Sequence, residues 1–192
     1  MQYVRMVFYG DCKRDRCRKT EQTRKGKGLK MSALAKVLLV DDEREFVAIL
    51  TQRLAKRDYS VTFAHSAKDA LAQLEEDKDI EVVIVDVKMP GLDGVETLKL
   101  IREKWPLVEV IMLTGHSTID SAINTIKLGA YDYILKPIEM EELVSKIEKA
   151  ACRKRNRDKL ILEVYMTPYL TLGEREEQIA KILDPEAKNN GV

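Results

Sequence analysis

Four short, unbroken apolar runs, each ending abruptly on a polar side chain able to do chemistry, constrain this chain more than anything else in it. Lys36-Val37-Leu38-Leu39-Val40 runs into Asp41-Asp42-Glu43, and Val82-Val83-Ile84-Val85 into Asp86. Val110-Ile111-Met112-Leu113 ends on Thr114, and Tyr133-Ile134-Leu135 on Lys136-Pro137. Continuous runs rich in Val and Ile, without polar alternation, suit strands buried on both faces, and such strands belong to parallel sheets. Ser60-Val61-Thr62-Phe63-Ala64 alternates more and supplies a weaker fifth candidate.

Helical periodicity fills the intervals. Phe46, Ile49, Leu50 and Leu54 recur at spacings of three and four, as do Ala67, Ala70, Leu71 and Leu74. Val95, Leu98 and Ile101 follow Gly94; Ile119, Ala122, Ile123 and Ile126 precede Gly129, a plausible helix stop. Leu143, Ile147 and Ala150 mark a fifth helix starting near Glu139, just after Pro137. Five strands alternating with five helices predict one doubly wound α/β domain over residues 36–152. Right-handed crossovers then bring every strand C-terminus to one edge of the sheet, where ligand sites of such folds lie.

The flanks differ in character. Residues 1–30 hold ten Lys and Arg against three acids and show no periodicity, so residues 1–35 read as a disordered basic arm. Met31 is the expected true start, because Lys25-Gly26-Lys27-Gly28 requires purine-rich codons of the kind found ahead of a start site. Residues 153–192 read as a basic helical tail. Arg153-Lys154-Arg155-Asn156-Arg157 is expected to be a solvated helix end, and Thr171-Leu172-Gly173-Glu174 a capping box opening a short helix through Leu183. Without the arm the chain is net acidic, which argues against nucleic acid as the main partner. No apolar run approaches the roughly 20 residues of a membrane span, and no secretory signal is present, so a cytoplasmic protein is expected. Cys12, Cys17 and Cys152 read as free thiols.

The edge where the strands end is the chemically interesting place. Asp41, Asp42 and Asp86 form clustered carboxylates that repel one another unless a cation lies between them, and an oxygen-only set with room for water suits Mg²⁺. Such an ion can bridge a carboxylate and a phosphoryl oxygen. Lys136 supplies a fixed positive charge and Thr114 a hydroxyl donor. Carboxylate nucleophile, divalent ion, ammonium and hydroxyl are together the parts that form an acyl phosphate on an aspartate. Each residue alone has a bland explanation, such as a helix cap for an acid after a strand; the combination at four strand ends does not.

Residues 36–150 resemble the receiver domain of bacterial two-component response regulators. The motifs are Val-Leu-Leu-Val-Asp41-Asp42-Glu43, Val-Asp86-Val-Lys-Met-Pro90-Gly-Leu-Asp-Gly94, Leu-Thr114-Gly-His, and Gly129-Ala130-Tyr-Asp-Tyr133-Ile-Leu-Lys136-Pro137. The wording around Thr114 and Lys136 is similar to receivers of the nitrogen-regulator type. The resemblance implies a flavodoxin-like (βα)5 fold with strand order 2-1-3-4-5. It implies that Asp86 becomes a 4-aspartylphosphate, taking the phosphoryl group from a sensor histidine kinase or phosphotransfer protein. Asp42, Asp86 and the backbone carbonyl of Lys88 would ligate Mg²⁺, with Asp41 acting mainly through water. Thr114 and Lys136 would hold the phosphoryl oxygens, and the Lys136-Pro137 bond would be cis. Tyr133 would be the switch, turning inward as Thr114 moves and repacking the surface of the fourth helix, fifth strand and fifth helix for an unknown downstream protein or a phosphorylation-linked homodimer. Lys88 and His116, two residues beyond Asp86 and Thr114, are expected to tune how easily water reaches the acyl phosphate.

The expectation is therefore a single-domain response regulator: a phosphoprotein of a two-component phosphorelay that assists only its own phosphorylation and dephosphorylation and is not otherwise an enzyme. Two other classes compete. A DNA-linked transcriptional regulator with a missing or borrowed output domain is one. A haloacid-dehalogenase-like phosphotransferase is the other, although that class wants an acid two residues after its nucleophile, where Lys88 stands.

Overall fold

The computed structural model describes residues 34–115 and 119–184. Five strands alternate with helices: β1 (Lys36–Val40), α1 (Arg44–Ala55), β2 (Ser60–Ala64), α2 (Ala67–Glu76), β3 (Val82–Asp86), α3 (Gly94–Lys104), β4 (Glu109–Thr114), α4 (Ile119–Lys127), β5 (Asp132–Leu135) and α5 (Met140–Met166), followed by α6 (Leu172–Leu183). The sheet is parallel throughout in the order β2-β1-β3-β4-β5. This is the flavodoxin-like arrangement expected; the sequence periodicities place the five strands, the first four helices and the start of α5, which runs on past Ala150 to Met166.

The unbroken apolar runs have a simple origin. Along β1, β3 and β4 successive side chains point to opposite faces, and helices cover both. Val37, Leu39, Val82, Ile84, Ile111, Leu113 and Ile134 pack with Val47, Leu50 and Leu54 of α1 and Leu143, Ile147 and Ala150 of α5. Leu38, Val40, Val83, Val85, Val110 and Met112 pack on the other face with Ala70 and Leu74 of α2 and Leu98 and Ile101 of α3. Each fully buried Leu or Ile contributes about 1.5–3 kcal/mol, so these central strands need no polar face. β2, at the sheet edge, is only partly covered: Ser60, Val61 and Thr62 are half-buried, Phe63 is exposed, and only Ala64 is fully buried.

The basic stretch 153–157 departs from expectation. It is not a helix end, because α5 continues without a break to Met166; Arg153, Arg155 and Asn156 stay exposed, but the arginines pair with acids at the base of the sheet. Glu109, the first residue of β4, is fully buried and accepts from Arg102 Nη2 at 3.1 Å and Arg157 Nη1 at 2.9 Å, with Arg153 Nε at 3.5 Å. Arg157 is itself buried and also donates to the Pro106 carbonyl. Arg155 grips both oxygens of Glu81 at 2.5 and 2.9 Å. Buried charge is tolerated only when paired and hydrogen-bonded, and here three guanidiniums share one carboxylate. Cys152, expected as a free thiol, is buried on α5 and disulfide-bonded. Beyond it, Thr171 and Glu174 form the predicted reciprocal capping box of α6, which packs against α5. The expected arm of residues 1–35, including Met31, lies almost wholly outside the described residues, which begin at Leu34. No helix among the described residues is long and apolar enough to cross a membrane.

Candidate functional site at the strand C-termini

Asp86 closes β3. Its strand is buried along its whole length, so the carboxylate emerges only where the sheet ends. One oxygen, Oδ2, accepts from the backbone N–H of Lys88 at 2.7 Å, and the other, Oδ1, lies 3.0 Å from Lys136 Nζ. Asp41, at the end of the neighbouring β1, is fully buried and held in a parallel way. Its Oδ1 accepts from Glu43 N–H at 2.9 Å and its Oδ2 from Lys136 Nζ at 2.8 Å. Each carboxylate thus has one oxygen fixed by backbone and one turned to the same ammonium.

Lys136 comes from the end of β5, two strands from Asp86 and three from Asp41. Its peptide bond to Pro137 is cis, as the resemblance implied, and its own N–H donates to the Thr114 carbonyl at 2.8 Å. The ammonium also meets Glu43 Oε1 at 3.2 Å and stands 4.4 Å from the centre of the Phe46 ring. Sequence reasoning missed both contacts. Phe46 reads as a core residue of α1, and Glu43 as the tail of an acidic triplet; only folding brings them to the lysine.

The electrostatics are lopsided. Burial works against the Lys136 charge, but hydrogen bonds and the charges of Asp41 and Asp86 outweigh it and push the ammonium above its ordinary value. Asp41 moves the other way from most paired carboxylates. Burial raises its pKa, the Asp86 charge adds to that, and the bonds from Lys136 and Glu43 N–H offset it only in part. Asp41, Glu43 and Asp86 contact one cation between them, leaving two negative charges in excess before the exposed Asp42 is counted.

That excess is what a hard cation would relieve, and the donors are all oxygen, so the residues suit Mg²⁺. Among the described residues no three His, Cys, Asp or Glu side chains form a ready cage. An ion that keeps several of its waters does not require one.

Gly94 explains how Asp86 is seated. A Cβ at this position would lie 2.1 Å from the Asp86 carbonyl oxygen and 2.8 Å from Val87 Cα. Only glycine lets the first turn of α3 close on the end of β3, and its N–H donates to the Val87 carbonyl at 3.0 Å.

Thr114 is buried at the end of β4 and lines a cavity of about 600 Å³ together with Val87, Lys88, Met112, Leu128 and Tyr133. Tyr133 is half-buried on β5, and Lys88 is exposed beside Asp86. His116 lies outside the described residues. The fold therefore brings Asp41, Asp86 and Lys136 into direct contact, with Asp42 adjoining Asp41 in the chain, and links Thr114 to Tyr133 through a common cavity.

Known proteins are similar to this chain in sequence and in fold. The sequence profile described as the response regulator receiver domain matches residues 37–148. The transcriptional regulatory protein ZraR of Salmonella typhimurium is 37% identical over 119 residues, 62% of this chain and 27% of that protein. A putative NtrX-like response regulator of Rickettsia bellii is 38% identical over 120 residues, 62% of this chain and 25% of that protein. The chain thus spans about a quarter of the length of these curated relatives. The crystal structure of a response regulator receiver domain protein from Clostridium thermocellum superposes with a TM-score of 0.61 at 37% identity, covering 63% of this chain and 97% of that one.

Proposed function

The chain belongs to the response regulator receiver domain family, and on that premise we propose that Asp86 is its phosphoacceptor and that phosphorylation switches the α4–β5–α5 surface. The domain is a signalling module of two-component systems rather than a classical enzyme. The observation that carries the proposal is the single Lys136 ammonium bonded to carboxylates from two strands, 2.8 Å from Asp41 and 3.0 Å from Asp86.

In this reading Asp86 attacks, in line, the phosphorus of a phosphohistidine on a sensor histidine kinase or phosphotransfer protein. The P–O bond forms as the P–N bond breaks, and an aspartyl phosphate results. The Lys88 N–H, already on Asp86 Oδ2, orients the nucleophile. Lys136 exchanges its contact with Asp86 for one with a phosphoryl oxygen, and the Thr114 hydroxyl donates to another. Asp42, Asp86 and the Lys88 carbonyl, with Asp41 close by, would hold Mg²⁺, which would supply positive charge to offset that on the transferring group. Lys88, exposed beside Asp86, and His116, two residues beyond Thr114 in the chain, would set how easily water reaches the phosphate.

The switch follows from the shared cavity. Thr114, drawn toward the new dianion, vacates space into which the Tyr133 ring turns. The face formed by α4, β5 and α5 repacks and engages a downstream protein or a second copy of this chain. The transcriptional role printed for ZraR makes a DNA-linked pathway a reading to test alongside, by salt-sensitive DNA binding. The haloacid-dehalogenase reading has less support, since Lys88 occupies the place of that class's second acid.

The test is incubation of wild type and Asp86→Ala with acetyl phosphate and Mg²⁺, read by intact mass. A single phosphoryl adduct on wild type and none on the variant is expected. An adduct that persists in Asp86→Ala overturns the assignment, and rapid turnover of small phosphate esters would revive the phosphotransferase class.

A further inference from the structure

β5 is an edge strand, so one side of it faces no neighbour in the sheet, and such edges need partners for their backbone groups. At Tyr133 side chains provide them. Its N–H donates to Asp132 Oδ1 at 2.7 Å, and its carbonyl accepts from Lys146 Nζ at 2.6 Å. Lys146 projects from α5 and also bonds Asp132 Oδ1 at 2.8 Å and Glu142 Oε1 at 3.2 Å. The same ammonium stands 5.4 Å from the centre of the Tyr133 ring, inside cation–π range. One side chain therefore holds the ring and the main chain of a single residue, and through Asp132 the N–H as well. Burial opposes the Lys146 charge, yet its bonds to Asp132 and Glu142 hold its pKa above the ordinary value, so the contact is charged throughout the physiological range.

We propose that Lys146 is a positioning residue for the switch, clamping Tyr133 in the orientation seen here and so setting how much of the unphosphorylated protein already occupies the switched arrangement. The inference rests on the phosphoacceptor reading and deepens it. The physical argument is that turning the ring into the Thr114 cavity carries it away from the Lys146 ammonium. Whatever that contact contributes is a differential interaction with one of two conformations, and only differential interactions shift a population. A ring–ammonium contact at a partly exposed site is enough to change such a ratio roughly two- to fivefold. Sequence alone does not single this lysine out, because an i,i+4 pair with Glu142 is its sufficient ordinary explanation.

The experiment uses the full chain labelled with 3-fluorotyrosine, with the Tyr133 resonance assigned by Tyr133→Phe. Wild type, Lys146→Met, Lys146→Gln and Lys146→Arg are followed by fluorine NMR and by acetyl phosphate labelling with Mg²⁺. Lys146→Met is expected to start with its Tyr133 resonance part-way toward the phosphorylated position and to label roughly two- to fivefold faster than wild type. Lys146→Gln, which can still donate to the carbonyl but has no charge to offer the ring, is expected to behave alike and reads the ring contact should the Met variant fold poorly. Lys146→Arg is expected to restore wild-type behaviour. Neutral variants whose resonance and labelling rate coincide with wild type, while wild type itself labels and shifts, overturn this inference alone. Wild type that takes no phosphate overturns the Asp86 reading and the inference with it.

Discussion

Replacing Gly94 by alanine sets two effects of opposite sign against each other. Gly94 is the first residue of α3, and helix propensity alone favours alanine there by up to about 1 kcal/mol. Sterics oppose it. The added Cβ would sit 2.1 Å from the Asp86 carbonyl oxygen and 2.9 Å from its carbon, both rigid backbone atoms that no rotamer change can remove. Restoring ordinary contact requires a relative shift of roughly 1 Å between the start of α3 and the end of β3. Overpacking of this kind costs about 1–3 kcal/mol, so the net effect is destabilising. In a domain of this size the net loss, after the propensity gain is subtracted, corresponds to a fall of up to about 12 °C in Tm. The larger consequence is chemical, because the shift falls on the residue proposed to carry the nucleophile, and a misplacement of about 1 Å costs on the order of 10²-fold in rate. Gly91→Ala is the control. Its φ of +83° makes any side chain strained, yet no atom lies within 4 Å of the new Cβ. It is expected to lose about 1–2 kcal/mol with acetyl phosphate labelling little changed. Intact-mass time courses with acetyl phosphate and Mg²⁺, paired with thermal melts, read both variants. Gly94→Ala labelling within threefold of wild type would refute the reasoning, since the helix would then have yielded without moving Asp86.

Two further expectations concern the base and edge of the sheet. Glu109→Gln leaves the buried Arg157 without its carboxylate and is expected to cost about 3–5 kcal/mol in urea unfolding; a loss below about 1 kcal/mol would mean the arginines re-pair elsewhere. Asp77 bonds Lys36 at 2.5 Å, and that hydrogen bond holds its pKa below the ordinary value, so its contribution is present above the unfolded pKa and lost as pH falls through the lower folded one. Asp77→Asn is therefore expected to be less stable than wild type by up to about 1 kcal/mol at neutral pH, with the two curves converging below about pH 4; a gap that persists in acid would rule out the ionic cause.

The strands and helices were legible because their signals are local. Val82–Val85 needs two covered faces whatever surrounds it, and a run of that kind ending in Asp86 puts the acid at an edge. The convergence of Asp41, Asp86 and Lys136 also followed from sequence, since a right-handed parallel sheet gathers strand ends without reference to particular side chains. The errors arose where a charged residue was assumed to seek water. Arg157 sits in the most basic stretch of the tail, yet its charge is stabilised by Glu109, 48 residues away. Nothing within a helical turn of either residue announces the other.

A doubly wound sheet with an acidic, lysine-bearing edge is written into contiguous residues, because apolar periodicity and strand direction are local properties. Which side chains share a charge is set instead by packing: Glu43 and Phe46 at Lys136, Glu109 among three arginines, Lys146 against Tyr133. Burying a charge is costly unless a partner is in place within a few ångströms. That partner is supplied by how elements pack, so these charge pairs become visible only once the helices are seated on the sheet.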